Sequence, residues 1–255
     1  MSQPKVSRRA NFRKGLMAGF LSLLSVSVSV AQEPSRNLRV CLVSGSELYG
    51  SQISLPAFKA AVEPKYAIEC TLVQSVGKDK LPGLEALENC EVALFFTRRL
   101  EITGEELEAV KRYCLGGKPI VGVRTACHGF QNFLEFDKEV LGGNYHGHYG
   151  SDALTRVVVA PGMESHPILN KVGGLDSLSS LYRTHPLAKD TQMLLGGVAP
   201  QGAQPLAWTR EYKGARVFFT SLGSVEDFEN PGFRRMIVNA LFWAANRDVE
   251  ERPKP

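Results

Sequence analysis

The sequence predicts an α/β fold built on a mostly parallel central sheet. Short apolar runs alternate with amphipathic segments between residues 38 and 123, and such alternation implies parallel strands joined by right-handed crossovers. Glycine-containing turns separate the runs, and an apolar stripe of helical period covers residues 231–247. These observations together favour one α/β domain, or two small ones.

Eight runs rich in β-branched and aromatic residues are predicted to form the strands. The run 92–96 is apolar throughout, which is typical of a strand buried on both faces. The last two predicted strands are joined at Tyr212-Lys213-Gly214. The eight strands cover residues 38–44, 67–73, 91–97, 120–123, 155–160, 192–195, 205–209 and 216–221.

Capping residues and apolar faces predict the helices. Ser54 can cap a helix that has Pro56 in its first turn. Thr103 and Glu106 have the spacing of a capping box, and the helix that they open stops at Gly116-Gly117. Two more helical segments are predicted, over residues 81–87 and 231–247.

The first 31 residues have the composition of an export leader. Basic side chains precede an apolar run over residues 15–30, and Ser29-Val30-Ala31 offers the small side chains that cleavage after Ala31 requires. The apolar run has 16 residues, which is short for a membrane span. The chain is therefore divided into a signal peptide (1–31), a domain (32–249) and a polar tail (250–255) that we expect to be frayed.

Charge, cysteine spacing and glycine spacing exclude several function classes. The chain carries a formal charge of +4 and the leader holds five basic and no acidic residues, so a charge of about −1 remains and nucleic-acid binding is not expected. No two of the five cysteines form a C-x-x-C pair, which argues against a structural zinc site. No phosphate-binding glycine motif follows the first strand, so no nucleotide cofactor is expected.

The turn after the predicted strand 120–123 is the first candidate site. Arg124, Thr125, Cys127 and His128 lie together there, and open α/β sheets bind ligands at the carboxyl ends of such strands. We expect a helix to begin at this turn and Arg124 to be exposed above the sheet, so that replacing it would cost little stability. A permanently charged guanidinium suits a carboxylate, a phosphate or a developing oxyanion.

A second candidate element is the glycine-rich loop of residues 142–150. It holds His146 and His148, two of the five histidines, and its glycines allow the loop to fold over the edge of the sheet. We expect this loop and Arg124 to form one site, bordered by the loop that contains Glu47. Since a histidine pair does not specify a metal, no metal site is predicted; the candidate ligands would be His146, His148 and Glu47. The alternative is a solvated loop whose histidines bond to backbone.

Several short motifs follow one another in a fixed order along residues 38–247. They are Gly122-Val123-Arg124-Thr125-Ala126, Val140-Leu141-Gly142-Gly143, His166-Pro167-Ile168, Pro205-Leu206-Ala207-Trp208-Thr209 and residues 214–223. Their order and spacing resemble the ThuA-like, or trehalose-utilisation, family within the class I glutamine-amidotransferase-like superfamily. The resemblance implies a flavodoxin-like three-layer sandwich and a link to the catabolism of sugars or keto-sugars.

Two departures from the superfamily pattern bear on the chemistry. Amidotransferases of this superfamily place a nucleophilic cysteine at the centre of G-x-C-x-G, where this chain has Arg124. Their catalytic His-x-Glu resembles Ser224-Val225-Glu226, in which only Glu226 is retained. A guanidinium cannot attack an amide and a serine cannot replace imidazole as the base. We therefore expect no glutaminase activity.

The candidate site residues divide by role. Cys127 is an alternative nucleophile, since a helix N-terminus and His128 could activate its thiol. His166, Trp208 and Trp243 are interpreted as structural. The predicted catalytic residues are Arg124, His128, His146 and His148, and the predicted ligand contacts are Ser44, Glu47, Tyr49, Thr125, Tyr145, His185 and Glu226.

The leading functional hypothesis is an exported enzyme, periplasmic or extracellular, that acts on a sugar or an oxidised glycoside. Arg124 would orient an oxygen, and one histidine would move a proton. A non-catalytic ligand-binding or interaction protein and a metal-dependent hydrolase or lyase are the alternatives. The expected partner is a small sugar ligand. We expect the protein to bind no nucleic acid and, after leader cleavage, no membrane.

Overall fold

Eight strands form one mixed sheet at the centre of the described residues. The computed structural model describes residues 36–150 and 154–253, so the predicted leader and the end of the tail lie outside it. All eight predicted strands are present and differ from the prediction only at their ends. They are β1 (Leu38–Gly45), β2 (Ile68–Gln74), β3 (Val92–Thr97), β4 (Ile120–Val123), β5 (Arg156–Val159), β6 (Gln192–Ala199), β7 (Gly202–Tyr212) and β8 (Ala215–Thr220).

The strand order is β2-β1-β3-β4-β8-β7-β6-β5. From β2 to β8 neighbouring strands run parallel, whereas the pairs from β8 to β5 run antiparallel. The predicted, mostly parallel sheet is therefore confirmed. Its parallel part brings the carboxyl ends of β1, β3, β4 and β8 to one edge, which is where such sheets bind ligands.

Helices cover both faces of the sheet and complete three layers. On one face α1 (Ser51–Val62), α4 (Val225–Glu229) and α5 (Pro231–Ala244) share an apolar core with the sheet. On the other face α2 (Ala86–Asn89), α3 (Gly104–Leu115) and a π-helical segment (Phe136–Leu141) do so. Among the described residues, no helix combines the length and apolar character that a bilayer crossing needs.

One predicted helix start and one predicted capping box are wrong. Helix α1 begins at Ser51 instead of after Ser54, because Gly50 adopts a left-handed conformation that turns the chain early, and Pro56 lies inside the helix. At α3 the Thr103 side chain makes no capping hydrogen bond. Thr103 is nevertheless the N-cap, as predicted, and the first residue of α3, Gly104, adopts a left-handed conformation.

Three further expectations are corrected. The helix expected after Arg124 is only a 3₁₀ turn, Arg124–His128, because the chain next pairs through Phe130 with Leu100. In place of the helix expected over residues 81–87, the structure has only the short helix α2 (Ala86–Asn89). The tail is not frayed as far as Arg252, since Glu251 pairs with Tyr66.

His166 and Trp208 take the structural places predicted for them, whereas Trp243, predicted to lie in the core, is only half-buried. His166 accepts a hydrogen bond from the Ile168 N–H at 3.2 Å, which confirms its capping role. Trp208 is fully buried, and its Nε1–H donates to the Leu141 carbonyl at 2.7 Å. Trp243 is half-buried near the end of α5, where Arg216 lies over its ring.

Trp208→Ala should lower the free energy of unfolding by about 3–5 kcal/mol, because it opens a large cavity and leaves the Leu141 carbonyl without its donor. Trp243→Ala removes the same side chain from a half-buried place and should cost clearly less. Urea unfolding of both variants measures the difference, and equal losses would contradict the assignment of Trp208 to the core.

Candidate functional site

Arg124 lies at the carboxyl end of β4, where the chain turns sharply. Its φ is 52°, in the left-handed region that few non-glycine residues adopt. The turn is packed against Gly223, where an added Cβ would come within 2.5 Å of the Val123 side chain. Strained backbone of this kind occurs at functional sites, and it marks this turn as the centre of the candidate site.

The Arg124 side chain is buried, with 2% of its surface exposed, so its predicted exposure is wrong. Nη1 donates to the carbonyls of Ser180 at 3.1 Å and Ser221 at 2.8 Å, and Nη2 donates to the Ser180 hydroxyl at 3.2 Å. The rings of Tyr49 and Tyr182 lie 5.0 and 4.4 Å from the guanidinium carbon. These carbonyls and aromatic faces hold the guanidinium inside the protein.

No acidic side chain neutralises this guanidinium within the described residues. Their ion pairs all involve other cations, and the Arg124 Nε has no hydrogen-bond partner. A positive charge therefore remains in the floor of the site, where water screens it poorly. It favours a ligand that carries negative charge or a polarised oxygen above it.

A row of rings connects Arg124 to the histidine loop. Tyr182 lies beside Arg124, the Tyr145 ring is 4.8 Å from the Tyr182 ring, and the His128 ring stacks on Tyr145 at 4.4 Å. His148 pairs with Tyr182 as an isolated β-bridge, with their rings 6.4 Å apart. We call Tyr49, Tyr182, Tyr145 and His128 the aromatic row. It brings Arg124 and the histidine loop to one edge of the sheet.

Tyr182 and Ser180 were missed by sequence reasoning, although both organise this edge. The run Tyr182-Arg183-Thr184-His185 stood out as polar and aromatic between two predicted strands, and this was the available signal. Nothing local in the sequence indicates that Ser180 would accept from an arginine 56 residues earlier. Such a contact depends on the assembled sheet.

Burial places Cys127 and His128 in unreactive protonation states. Their side chains are 3.3 Å apart, between Sγ and Nδ1. Burial raises the pKa of the Cys127 thiol well above its ordinary value. Burial, together with the charges of Arg99, Arg98 and Arg124, lowers the pKa of His128 to about 3. At neutral pH this is a thiol beside a neutral imidazole, so the pair lacks the thiolate that a cysteine nucleophile requires.

Ser44 and Thr125, two predicted ligand contacts, belong to a buried hydroxyl network. The Thr125 hydroxyl donates to Ser46 Oγ at 2.9 Å. The Ser46 N–H and the Ser44 hydroxyl donate to Ser51 Oγ at 2.7 and 3.0 Å. The network ties the end of β1 and the start of α1 to the Arg124 turn. Direct ligand contact would require these bonds to break.

The segment that resembles the catalytic His-x-Glu has a capping role. The Ser224 hydroxyl accepts from the Asp227 N–H at 3.2 Å, and Asp227 Oδ2 accepts from the N–H groups of Gly223 and Ser224 at 2.7 and 3.0 Å. This is a capping box for α4. Glu226 is exposed, and the acidic side chain that faces inward is Asp227. The spacing of Ser224 and Asp227, S-x-x-D, is typical of a capping box and was the signal that sequence reasoning missed.

The remaining predicted residues are open to solvent. His146 Nδ1 lies 2.7 Å from the Asn144 carbonyl, and His148 Nδ1 lies 2.7 Å from the Tyr149 carbonyl. These backbone contacts agree with the alternative of a solvated loop. Glu47 and His185 are also exposed. Within residues 36–150 and 154–253, no three His, Cys, Asp or Glu side chains assemble as a metal site would require.

A large cavity of about 580 Å³ lies elsewhere in the molecule. It is lined by Arg216, the second residue of β8, and by Trp243 near the end of α5. This is the amino edge of the parallel strands, opposite to Arg124. We place the candidate site at the carboxyl edge, because the strained turn and the aromatic row are there.

Arg124→Met should lower the free energy of unfolding by about 1–3 kcal/mol or more, because it leaves the buried carbonyls of Ser180 and Ser221 without a donor. Arg156→Met, at an exposed arginine of β5, is the matched control and should change stability little. Chemical denaturation of both variants gives the comparison, and an undiminished stability of Arg124→Met would show that the guanidinium is not a structural anchor.

His128→Gln should flatten the dependence of stability on pH. The pKa of His128 is lowered to about 3 in the folded protein and stands near 6.5 in the unfolded chain, so the unfolded state takes up a proton first as the pH falls. The stabilising contribution of the neutral His128 is therefore complete above about pH 6.5. It is lost as the pH falls towards about 3, at up to about 1.4 kcal/mol per pH unit. Thermal unfolding between about pH 7 and pH 4 should show a steeper loss for the unchanged protein.

Asp137 supplies the opposing control. Burial raises its pKa from 3.8 to about 6, so its contribution to stability is present below about pH 3.8 and is lost as the pH rises to about 6. Asp137→Asn should therefore steepen the loss of stability on acidification, whereas His128→Gln should reduce it. Equal slopes in all three proteins would refute both assignments.

Comparison with known proteins agrees with this architecture. The family model ThuA, described as trehalose utilisation, matches residues 39–244. A ThuA-like protein from Bacteroides uniformis has 18% identity and a TM-score of 0.64, over 86% of this chain and 96% of that chain. One from Parabacteroides merdae has 14% identity and a TM-score of 0.64, over 86% and 94%.

A third similar structure is described as a GMP synthase protein from Thermoplasma acidophilum. It has 13% identity and a TM-score of 0.54, over 84% of this chain and 96% of that chain. At these identities the likenesses show the fold alone, and no curated protein matches the chain. The match over residues 39–244 decides the family: this chain belongs to the ThuA, or trehalose-utilisation, family, on a glutamine-amidotransferase-like fold.

Proposed function

We propose that this ThuA protein is exported and acts on a sugar or an oxidised glycoside at the carboxyl edge of its sheet, without glutaminase activity. Membership of a trehalose-utilisation family supports a carbohydrate-related role. The leader-like composition of residues 1–31 supports export to the periplasm or the medium. The site itself supports a small polar ligand rather than a nucleotide or a nucleic acid.

The buried Arg124 guanidinium carries the proposal. It occupies the place of the superfamily's nucleophile, yet it is bound by two carbonyls and enclosed by two tyrosine rings. Its charge can stabilise a polarised oxygen above the aromatic row but cannot form a covalent bond to a substrate. Ser224 occupies the place of the catalytic histidine and is used as a helix cap. Both replacements argue against amide hydrolysis.

Proton transfer at this edge falls to the open histidines. His128 is neutral down to about pH 3, so it cannot serve as a general acid near neutral pH. His148 is exposed, and its ring lies 6.4 Å from the Tyr182 ring, over which the Arg124 guanidinium carbon lies at 4.4 Å. A sugar bound at this edge would therefore have both groups nearby. We assign proton transfer to His148 and the electrostatic role to Arg124.

Binding without turnover is the second candidate function. One observation favours it: Arg124 and Ser224, which stand where the superfamily has its nucleophile and its histidine, are both engaged in structural hydrogen bonds. A binding protein would retain the site and its carbohydrate ligand but would need no proton carrier. The two candidates therefore differ in what His148 contributes.

His148→Ala should abolish turnover of 3-ketotrehalose, or reduce it about 100-fold or more, while changing its binding only a few-fold. Titration calorimetry measures binding of trehalose and 3-ketotrehalose, and chromatography measures product. His166→Asn is the matched control, because it removes a histidine far from the site and keeps an acceptor for the Ile168 N–H.

Each outcome separates the candidate functions. Binding with no product, in the unchanged protein and in both variants, would favour the non-catalytic function. Absence of binding to either sugar would refute the carbohydrate proposal. Ammonia release from glutamine that disappears in Cys127→Ala would overturn the assignment of Arg124 and make Cys127 the nucleophile.

A further inference from the structure

A second cavity of about 400 Å³ adjoins the aromatic row. Cys127, His128 and Tyr145 line it on the side of the candidate site, and Phe133 and Leu134 line it on the other side. The His128–Tyr145 stack therefore borders both the carboxyl edge and this cavity. A ligand that lies over the stack can extend into the cavity without leaving the protein surface.

The inner wall of this cavity is apolar and rigid. Phe130, Phe133 and Phe136 are buried, and the rings of Phe130 and Phe136 pack on Phe95 at 6.2 and 5.4 Å. Phe133 packs on Phe136 at 5.7 Å. Since these rings are held by one another, the wall is formed before any ligand arrives, which reduces the entropic cost of binding.

The π-helical segment Phe136–Leu141 shapes the polar end of the cavity. Helices of this type are rare and occur often at functional sites. Here Phe136 and Asp137 both face inward and are buried. Asp137 Oδ2 accepts from the Tyr145 N–H at 2.7 Å, and Oδ1 has no hydrogen-bond partner. The carboxyl group thus ties the cavity wall to the histidine loop.

Among the charged side chains that line the cavity, Asp137 is buried in the wall, and Glu135, Lys138 and Glu139 are exposed. Leu134 also lines the cavity, with 67% of its surface exposed. An exposed leucine at the entrance to an apolar, preformed cavity is suited to contact with an apolar group. The cationic lining of the larger cavity at the amino edge, with Lys171, Arg216 and Arg247, has no such character.

We propose that this cavity is a subsite for the apolar aglycone, aryl or alkyl, of a glycoside whose sugar lies over the aromatic row. The inference rests on the proposed function and specifies its substrate class as glycosides with an apolar aglycone. A volume of about 400 Å³ is ample for a single aromatic ring with its linkage. Continuity through His128 and Tyr145 joins the sugar and the aglycone in one ligand.

The test compares three probes on the full mature protein. They are 4-fluorophenyl β-D-glucopyranoside, methyl β-D-glucopyranoside and 4-fluorophenol, followed by fluorine NMR where fluorine is present and by calorimetry otherwise. The aryl glucoside should bind about ten-fold more tightly than the methyl glucoside, because burying the ring removes apolar surface from water. 4-Fluorophenol alone should bind weakly, and the aryl glucoside should compete with it.

Leu134→Asp should reduce the affinity for the aryl glucoside and for 4-fluorophenol about ten-fold, and leave the methyl glucoside unchanged. Ile53→Asp is the matched control, since Ile53 is an exposed apolar residue of α1 with 60% of its surface accessible. It should leave all three affinities unchanged. Both positions are on the surface, so neither variant should unfold.

The outcomes distinguish this inference from the proposed function. Equal affinities of the aryl and methyl glucosides, unaffected by Leu134→Asp, would overturn the subsite and leave the carbohydrate proposal intact. Another outcome is that 4-fluorophenol binds in a way that depends on Leu134 while the attached glucose adds no affinity. That result would uphold the subsite and refute the carbohydrate proposal for this sugar. No binding of either aryl probe at millimolar concentration would overturn the subsite.

Discussion

The candidate site depends on a positive charge held inside the protein by uncharged groups. The Arg124 guanidinium bonds to the Ser180 and Ser221 carbonyls and lies against two tyrosine rings. Carbonyl dipoles and ring faces offset part of the cost of burying a cation, but they do not cancel its charge. The same bonds connect β4, β8 and the segment around Tyr182. One side chain therefore sets both the geometry and the electrostatic potential of the carboxyl edge.

This interaction keeps the end of β4 ordered around a long polar side chain. Arg124 forms hydrogen bonds to two carbonyls and one hydroxyl. After β8, Ser224 and Asp227 form a reciprocal cap for α4. The two positions at which the superfamily resemblance would place a nucleophile and a base are therefore both engaged in structural hydrogen bonds.

Sequence patterns predicted the sheet well and the site only in part. Strand positions follow from local hydrophobicity, so all eight were found, and the family resemblance is confirmed by the match over residues 39–244. The burial of Arg124 depends on Ser180 and Ser221, which are distant in the chain. The start of α1 at Ser51 depends on the left-handed Gly50. Such long-range contacts and backbone conformations leave no periodic signal in a sequence.

The hydroxyl network beneath the turn has a consequence for how the site responds to acidity. Ser44, Ser46, Ser51 and Thr125 carry no charge at any pH that a folded protein meets, and all four are buried. The framework beneath the turn therefore contains no group that titrates, whereas His128 and Asp137 do change protonation. Loss of stability on acidification should therefore originate at the buried imidazole and not in the hydroxyl framework beneath the turn.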